Sequence, residues 1–234
     1  MGLVYGVQAN LFTEYIPTPE HAEMMIYPRV LALAEVAWSA PSKKNYEDFH
    51  VRALKAVEEL KKSGYNPFEL KNEIGNRPGA DKPVEHLAVG KKVTYGLDAA
   101  YYPGYAAGGD TALVDGVRGG WTYGDKRWQG FIDKKRMDIT IDLEKETELH
   151  FIGADFMQVC GPEVFMPAEV IISISDDGKD FTELKHIEHK VVKDDKVTFT
   201  NFGWEGNAKG RYVRYQATSG KFGGFLFTDE VVIK

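Results

Sequence analysis

The apolar and polar positions of this chain change period once along its length. From Met24 to Trp38 the run Met24-Met25-Ile26-Tyr27-Pro28-Arg29-Val30-Leu31-Ala32-Leu33-Ala34-Glu35-Val36-Ala37-Trp38 is apolar around most of a helical circumference, as expected of a helix packed against more than one neighbour. Thr18 and Pro19 mark its start. A threonine side chain caps free N–H groups of a first turn, and a proline there gives up a donor that has no partner anyway. Pro28 predicts a kink or a restart. Ahead of this helix, Leu3 to Phe12 is short and apolar enough for a buried strand. One strand and one such helix cannot cover each other, so the front segment predicts partners beyond itself. Over residues 43–64, Phe49, Ala53, Val57 and Leu60 recur at helical spacing, while Lys55, Glu58, Glu59, Lys61 and Lys62 face water. Ser63-Gly64 supplies a stop, with Pro67 beyond it. Residues 72–83 hold Gly75, Asn76, Pro78, Gly79 and Pro83 with little apolar content, the composition of a linker.

From about Leu87 the period becomes two. Met137–Leu143, Leu149–Gly153 and Ala168–Ser175 alternate, and Lys196–Thr200, Tyr212–Tyr215 and Val231–Ile233 are shorter candidates. Turn chemistry separates them at Asp176-Asp177-Gly178, Asp194-Asp195 and Glu205-Gly206-Asn207. Many short strands without a helix predict an antiparallel sandwich or jelly roll. The chain therefore divides into a strand and helix (1–42), an amphipathic helix and tail (43–71), a linker (72–86) and a β domain (87–234).

Composition narrows the function. Thirteen Phe, twelve Tyr and four Trp in 234 residues supply ample core material, which excludes disorder as the main state. A net charge of −6 and a pI near 5.6 argue against a nucleic-acid partner, which would need a basic footprint. No apolar run reaches the roughly 18 to 20 residues of a membrane span. Cys160 is the only cysteine, so packing or a metal must hold the fold together. The start of the chain shows no secretory leader, and an exported parent stays compatible with it.

Gly6-Val7-Gln8-Ala9-Asn10-Leu11-Phe12-Thr13-Glu14, Met25-Ile26-Tyr27-Pro28-Arg29 and Ala32-Leu33-Ala34-Glu35-Val36-Ala37-Trp38-Ser39 closely resemble the last strand and helix of glycoside hydrolase family 20. These are β-N-acetylhexosaminidases built on a (β/α)8 barrel. The resemblance implies that Glu14 accepts hydrogen bonds from outer hydroxyls of the terminal sugar and that Phe12, where the family usually has Trp, lines the same pocket. Without the family match, Glu14 reads as a solvated charge opening a polar turn. The family's acid–base machinery is an Asp-Glu pair on an earlier barrel strand, so the chain by itself is expected to be inactive, with no catalytic residue of its own. The parent is expected to release terminal N-acetylhexosamine from glycans. Outside a barrel, the front segment is expected to fold back on the 43–64 helix, to pair with another copy, or to be poorly ordered.

Ala112-Leu113-Val114-Asp115-Gly116-Val117-Arg118-Gly119-Gly120-Trp121, Pro167-Ala168-Glu169-Val170 through Ser175-Asp176-Asp177-Gly178, Arg211-Tyr212-Val213-Arg214 and Asp229-Glu230-Val231-Val232-Ile233 together resemble the coagulation factor 5/8 type C, or discoidin-like, domain. That family overlaps carbohydrate-binding module family 32 and implies a galactose-binding-like jelly roll over 87–234. It also implies a calcium ion, with side-chain oxygens from Asp115 and Glu230 and backbone carbonyls from Ala112, Val117, Gly120 and Asp229. Calcium takes six to eight hard oxygens, and a tight glycine-rich loop supplies carbonyls without crowding. Gly120 stands where many relatives have Thr or Ser, one ligand fewer. The competing reading makes Asp115-Gly116 a plain turn and Glu230 an edge charge. For glycans, Tyr102, Tyr105, Arg118 and Phe222 are the candidates, from loops of suitable composition. The competing reading places Trp121, Trp128, Phe131, Phe225, Phe227 and some of the tyrosines in the core. A discoidin-like module braced by calcium and serving protein or surface interaction, without sugar binding, is the alternative function. Asp176–Asp180 reads as a hairpin turn rather than a calcium loop, and the six histidines lack metal-ligand spacing.

Overall fold

Helices precede strands, in the order α1 (Pro19–Ile26), α2 (Arg29–Trp38), α3 (Tyr46–Lys62), β1 (Lys92–Tyr95), β2 (Gln129–Ile132), β3 (Met137–Gln158), β4 (Pro167–Ser175), β5 (Thr182–Glu188), β6 (Thr198–Ser219) and β7 (Phe225–Ile233). The computed structural model describes residues 6–14, 16, 18–71, 77, 79–80, 82–96, 100–132, 136–193 and 197–234. These fall into two units, Met1–Asn76 and Arg77–Lys234.

In the first unit, the Thr18 hydroxyl oxygen accepts from the His21 N–H at 3.1 Å and Pro19 opens α1. The chain breaks between α1 and α2 at Tyr27-Pro28, the proline that predicted a restart. The Asn45 side-chain oxygen caps α3 by accepting from the Asp48 N–H at 3.1 Å, and Gly64 ends it with φ +87°, in the left-handed region that glycine enters without a Cβ clash. Of the three outcomes expected for the front segment, its helices show the first: α1 and α2 fold back on α3 and its tail. Arg52 of α3 makes a bidentate pair with Glu35 of α2 at 2.9 and 3.1 Å. The Phe68 N–H reaches the Tyr27 carbonyl at 2.9 Å, and the Asn66 N–H reaches the Glu23 carboxylate at 2.7 Å. Met24, Ala53 and Val57 are buried, but α2 buries no residue and its Trp38 is 90% exposed. The expected strand at Leu3–Phe12 is a correction: residues 6–12 are irregular and exposed, and Leu3 to Tyr5 lie outside the described residues. A strand needs a neighbour for its N–H and C=O groups, and the first unit has no strand among its described residues.

The second unit is a hydrogen-bonded sheet in the order β2-β7-β3-β6-β4-β5, with β1 on β3. Every strand pair is antiparallel. β3 and β6, 22 residues each, pass from one layer of the sandwich to the other. Their halves at Met137–Asp142 and Tyr212–Ala217 lie beside β1 and β4 respectively, and the other half of β3 lies between β7 and the other half of β6. Ile139, Ile141, Val170, Ile172, Val213 and Tyr215 from the first layer meet Ile152, Ala154, Phe156, Phe202, Val231 and Ile233 from the second in one buried core.

These long strands absorb segments that the alternation had separated. Met137–Leu143 and Leu149–Gly153 join within β3 across a register shift between Asp142 and Thr147, where Glu144 takes φ +70°. Glu205-Gly206-Asn207 is not a turn. It lies inside β6, opposite a second shift between Leu149 and Phe151, so its turn chemistry serves a bulge. Asp176-Asp177-Gly178 does turn the chain from β4 to β5, with the Asp177 carboxylate accepting from the Lys179 and Asp180 N–H groups at 2.8 and 3.0 Å. The Asp194-Asp195 turn and Lys196 lie outside the described residues. So does about half of the stretch read as linker, yet its Arg77, Ala80 and His86 are buried side chains of the second unit.

Two bidentate pairs staple β3 to β6: Asp138 with Arg214 at 2.8 and 2.7 Å, and Asp142 with Arg211 at 2.8 and 2.9 Å. Hydrogen bonds from Arg211 hold the Asp142 carboxyl below the usual carboxylate range. A depressed carboxyl stabilises the fold above its unfolded value and loses that contribution as pH falls through the folded value. Asp142→Asn is therefore expected to unfold at lower urea than the wild type at pH 7. The two midpoints should converge in acid, below the ordinary carboxylate value of about 4. A gap independent of pH would contradict this.

Candidate functional site

Aromatic side chains gather at one end of the sandwich because three loop segments meet there. Pro103 and Gly104 turn the chain so that Tyr102 and Tyr105 lie on the same side, with ring centres 5.9 Å apart. A Cβ at position 104 would stand 2.9 Å from the Tyr102 ring, so glycine lets that ring rest on the backbone. Tyr102 meets Phe225 edge-on at 5.7 Å. Phe225 accepts the Phe165 N–H at 3.0 Å, and Phe165 packs on Phe222 at 5.4 Å. Tyr102, Tyr105 and Phe222 are thus joined through Phe225 and Phe165. Their exposure differs. Tyr105 is hemmed in by Tyr123, Phe225 and Phe227 at 4.9 to 5.7 Å, whereas Tyr102 is 44% exposed and Phe222 is half-buried. Trp128, Phe131 and Phe227 are fully buried.

Arg118 is engaged elsewhere. Its guanidinium lies 2.6 Å from the Asp155 carboxylate and 3.5 Å from that of Asp229, and only 13% of the side chain is exposed. The centre of this cluster is Arg77, which pairs with both Asp229 and Asp155, donates to the Gly119 carbonyl at 2.7 Å, and lies 4.8 Å from the ring centres of Trp128 and Phe199. Asp229 also accepts N–H bonds from Gly119 at 3.0 Å and Glu230 at 2.7 Å. Burial pushes its carboxyl above the usual range, while Arg77 and Arg118 pull it back. Sequence reasoning missed Arg77, whose partner Asp229 lies 152 residues away and shares no periodic pattern with it.

Glu230 forms a second centre. Its Oε1 accepts from the Gly116 N–H at 3.0 Å and lies 2.6 Å from His86 Nε2. The Ala88 N–H donates to His86 Nδ1 at 3.3 Å, which places the ring hydrogen on Nε2. Glu230 Oε2 is buried without a hydrogen-bond partner among the described residues. Burial raises this carboxyl above the usual range, His86 and the Gly116 N–H oppose that, and the Asp115 charge adds to it. Of the expected calcium ligands, Asp115 follows the single helical turn Ala112–Val114 and accepts the Val117 N–H at 2.8 Å. The Gly120 carbonyl accepts the Trp128 indole N–H at 3.1 Å. An orphaned carboxylate oxygen within electrostatic reach of Asp115 fits a hard cation. The Asp229 carboxylate is committed to two guanidinium groups, which leaves only its carbonyl for such a role. Among the described residues no three His, Cys, Asp or Glu side chains converge as a metal cluster. Phe12, 79% exposed, and Glu14 lie in irregular exposed chain ahead of α1. No helix among the described residues is long and apolar enough to cross a membrane.

The F5/8 type C domain model matches residues 98–231, more than half of the chain. The model of the glycosyl hydrolase family 20 catalytic domain matches residues 2–41. A beta-hexosaminidase of Porphyromonas gingivalis is 43% identical over 63 residues, 27% of this chain and 8% of that protein. A beta-N-acetylhexosaminidase of Cellulomonas fimi is 41% identical over 49 residues, 21% of this chain and 10% of that protein. The chain thus spans a tenth or less of the curated relatives it matches. Among solved structures, a Streptococcus pneumoniae fucose binding module, SpX-3, is 18% identical with a TM-score of 0.45, covering 64% of this chain and 98% of that one. The Clostridium perfringens protein CpGH89CBM32-5, in complex with GalNAc-β-1,3-galactose, is 17% identical with a TM-score of 0.43, covering 61% and 93%.

Removing the Arg77 guanidinium leaves the Asp229 and Asp155 carboxylates short of positive charge in a dry setting. Arg77→Met is expected to cost about 3–5 kcal/mol in urea unfolding. Asp229→Asn in the same background should recover part of that loss, a coupling that additive effects would rule out.

Proposed function

Because this chain belongs to the F5/8 type C domain family through residues 98–231, we propose that its β unit is the sugar-binding accessory domain of a larger β-N-acetylhexosaminidase. The observation that carries this reading is the pair of partly exposed rings, Tyr102 and Phe222, joined at one end of the sandwich through Phe225 and Phe165. An aromatic face offers flat apolar surface to the C–H side of a pyranose. The family 20 match over residues 2–41 and the local identity to two hexosaminidases support the parent activity. In that parent, Phe12 and Glu14 would line the pocket for the terminal N-acetylhexosamine, because a carboxylate takes two charge-assisted hydrogen bonds from neighbouring hydroxyls. The acid and its partner carboxylate would come from elsewhere in the parent, and the chain alone hydrolyses nothing. The accessory domain would hold an exported enzyme near a polymeric substrate by raising effective concentration. The open face of α2 would be covered by the rest of a barrel or, in the isolated chain, by a second copy.

Arg118 favours a second reading, in which the domain braces its neighbours without binding sugar. Its guanidinium is spent on Asp155 and Asp229 and is withdrawn from reading hydroxyls. Binding measurements separate the two. Tyr102→Ala and Phe222→Ala are each expected to weaken retention on polymers of N-acetylhexosamine by roughly tenfold, about 1.4 kcal/mol, with thermal stability little changed. Equal retention by wild type and both variants would remove the sugar-binding reading.

Calcium belongs to the same proposal. Asp115 and Glu230 would hold it through their carboxylates, with the carbonyls of Ala112, Val117, Gly120 and Asp229. Bound there, the ion would supply positive charge to Glu230 Oε2 and tie the 112–120 loop to β7. Added calcium is expected to raise the thermal midpoint of the wild type and to leave that of Glu230→Gln unmoved. An identical response from both proteins would exclude this site.

A further inference from the structure

Two ammonium groups flank Phe222 at its end of the sandwich. Lys193 Nζ lies 5.2 Å from the ring centre of Phe165 and 4.7 Å from that of Phe222, and Lys221 Nζ lies 5.0 Å from that of Phe222. Both lysines are exposed. Two ammonium groups so close to one ring are at most about 10 Å apart, one Debye length at 0.1 M salt, so their fields add over the same patch. Neither has a carboxylate partner among the described residues.

The lysines stand on a packed base. The Gln158 amide donates to the Val192 carbonyl at 3.0 Å and so anchors the residue before Lys193. A Cβ on Gly220, the residue before Lys221, would meet the Ala168 and Val191 side chains at 3.1 and 3.3 Å. The segment that carries Lys193 and the loop that carries Lys221 therefore lie against each other, above the buried Phe165.

We propose that this end of the domain selects glycans whose sugars carry an anionic group, a carboxylate or a sulfate ester, held by Lys193 and Lys221 beside the aromatic surface. The inference rests on Tyr102 and Phe222 binding sugar and adds the charge that the sugar must bear. Ammonium groups attract an anion without imposing the planar geometry of a guanidinium, so they suit a flat carboxylate and a tetrahedral sulfate alike.

The test uses the purified full chain and four probes: neutral N-acetylglucosamine oligomers, the same oligomers bearing sulfate esters, oligomers alternating N-acetylglucosamine with glucuronate, and inorganic polyphosphate. The wild type is expected to bind at least one of the two anionic glycans about tenfold more tightly than the neutral oligomers in dilute buffer. This advantage should fade in about 0.5 M salt. Lys193→Gln/Lys221→Gln should lose the advantage while its affinity for the neutral oligomers stays unchanged. The sulfated and uronate arms identify which anion is preferred. Equal wild-type affinity for neutral and anionic oligomers would overturn the inference and leave sugar binding standing, whereas no binding to any sugar would remove the proposed function itself. Polyphosphate binding as tight as the anionic glycans would also overturn it, since charge alone would then suffice.

Discussion

A carboxylate cut off from water has to find positive charge inside the protein, and at Asp229 this requirement shapes everything nearby. Arg77 enters from the stretch ahead of the sandwich, packs against the stacked rings of Trp128 and Phe199, and joins Asp229 to Asp155 and to the Gly119 carbonyl. One side chain thereby fixes the approach segment, the 116–120 loop, β3 and β7 relative to one another. In a chain with a single cysteine, these internal charges carry the cross-linking that disulfides provide in other small β domains. The aromatic neighbours do more than fill space. They exclude the water that would otherwise screen the ion pairs, and the guanidinium face gains attraction from their ring electrons.

The second constraint is the continuity of β3 and β6. A sandwich needs its layers to share strands or to be joined by loops, and here two 22-residue strands cross over through bulges. That arrangement leaves the connecting loops free to collect at the ends. Tyr102, Phe165, Phe222 and Phe225 are brought together in this way, from segments far apart in sequence. The residues best placed to touch a ligand therefore stand on loops held by a rigid frame.

How much of this was legible depended on whether a residue's role is local. α3 was readable because Ala53 and Val57 repeat at helical spacing and are the residues it buries. β4 and the core half of β3 were readable because they alternate. β1, β2 and β5 were not. β1 buries Val93 alone among its four residues, β5 is a largely exposed edge, and β2 contains Gly130, whose Cβ would collide with the Phe227 ring. The turn chemistry of Glu205-Gly206-Asn207 was genuine but met a partner strand, and pairing won over reversal. Composition identified the aromatic loops without separating Tyr105, enclosed by its neighbours, from Tyr102, which is open. Arg77 was hidden in a stretch whose glycines and prolines read as linker.

Gly104 has a consequence for recognition that its small size conceals. With hydrogen in place of a methyl group, the chain lets the Tyr102 phenol settle against its own turn and against Phe225 before any guest arrives. A ring that already rests on its own turn and on Phe225 surrenders less freedom when a guest lands on it, so part of the entropy usually lost in ordering a receptor side chain is spent during folding instead. Even a weak encounter surface gains from such rigidity, because each small increment of contact goes into holding the guest.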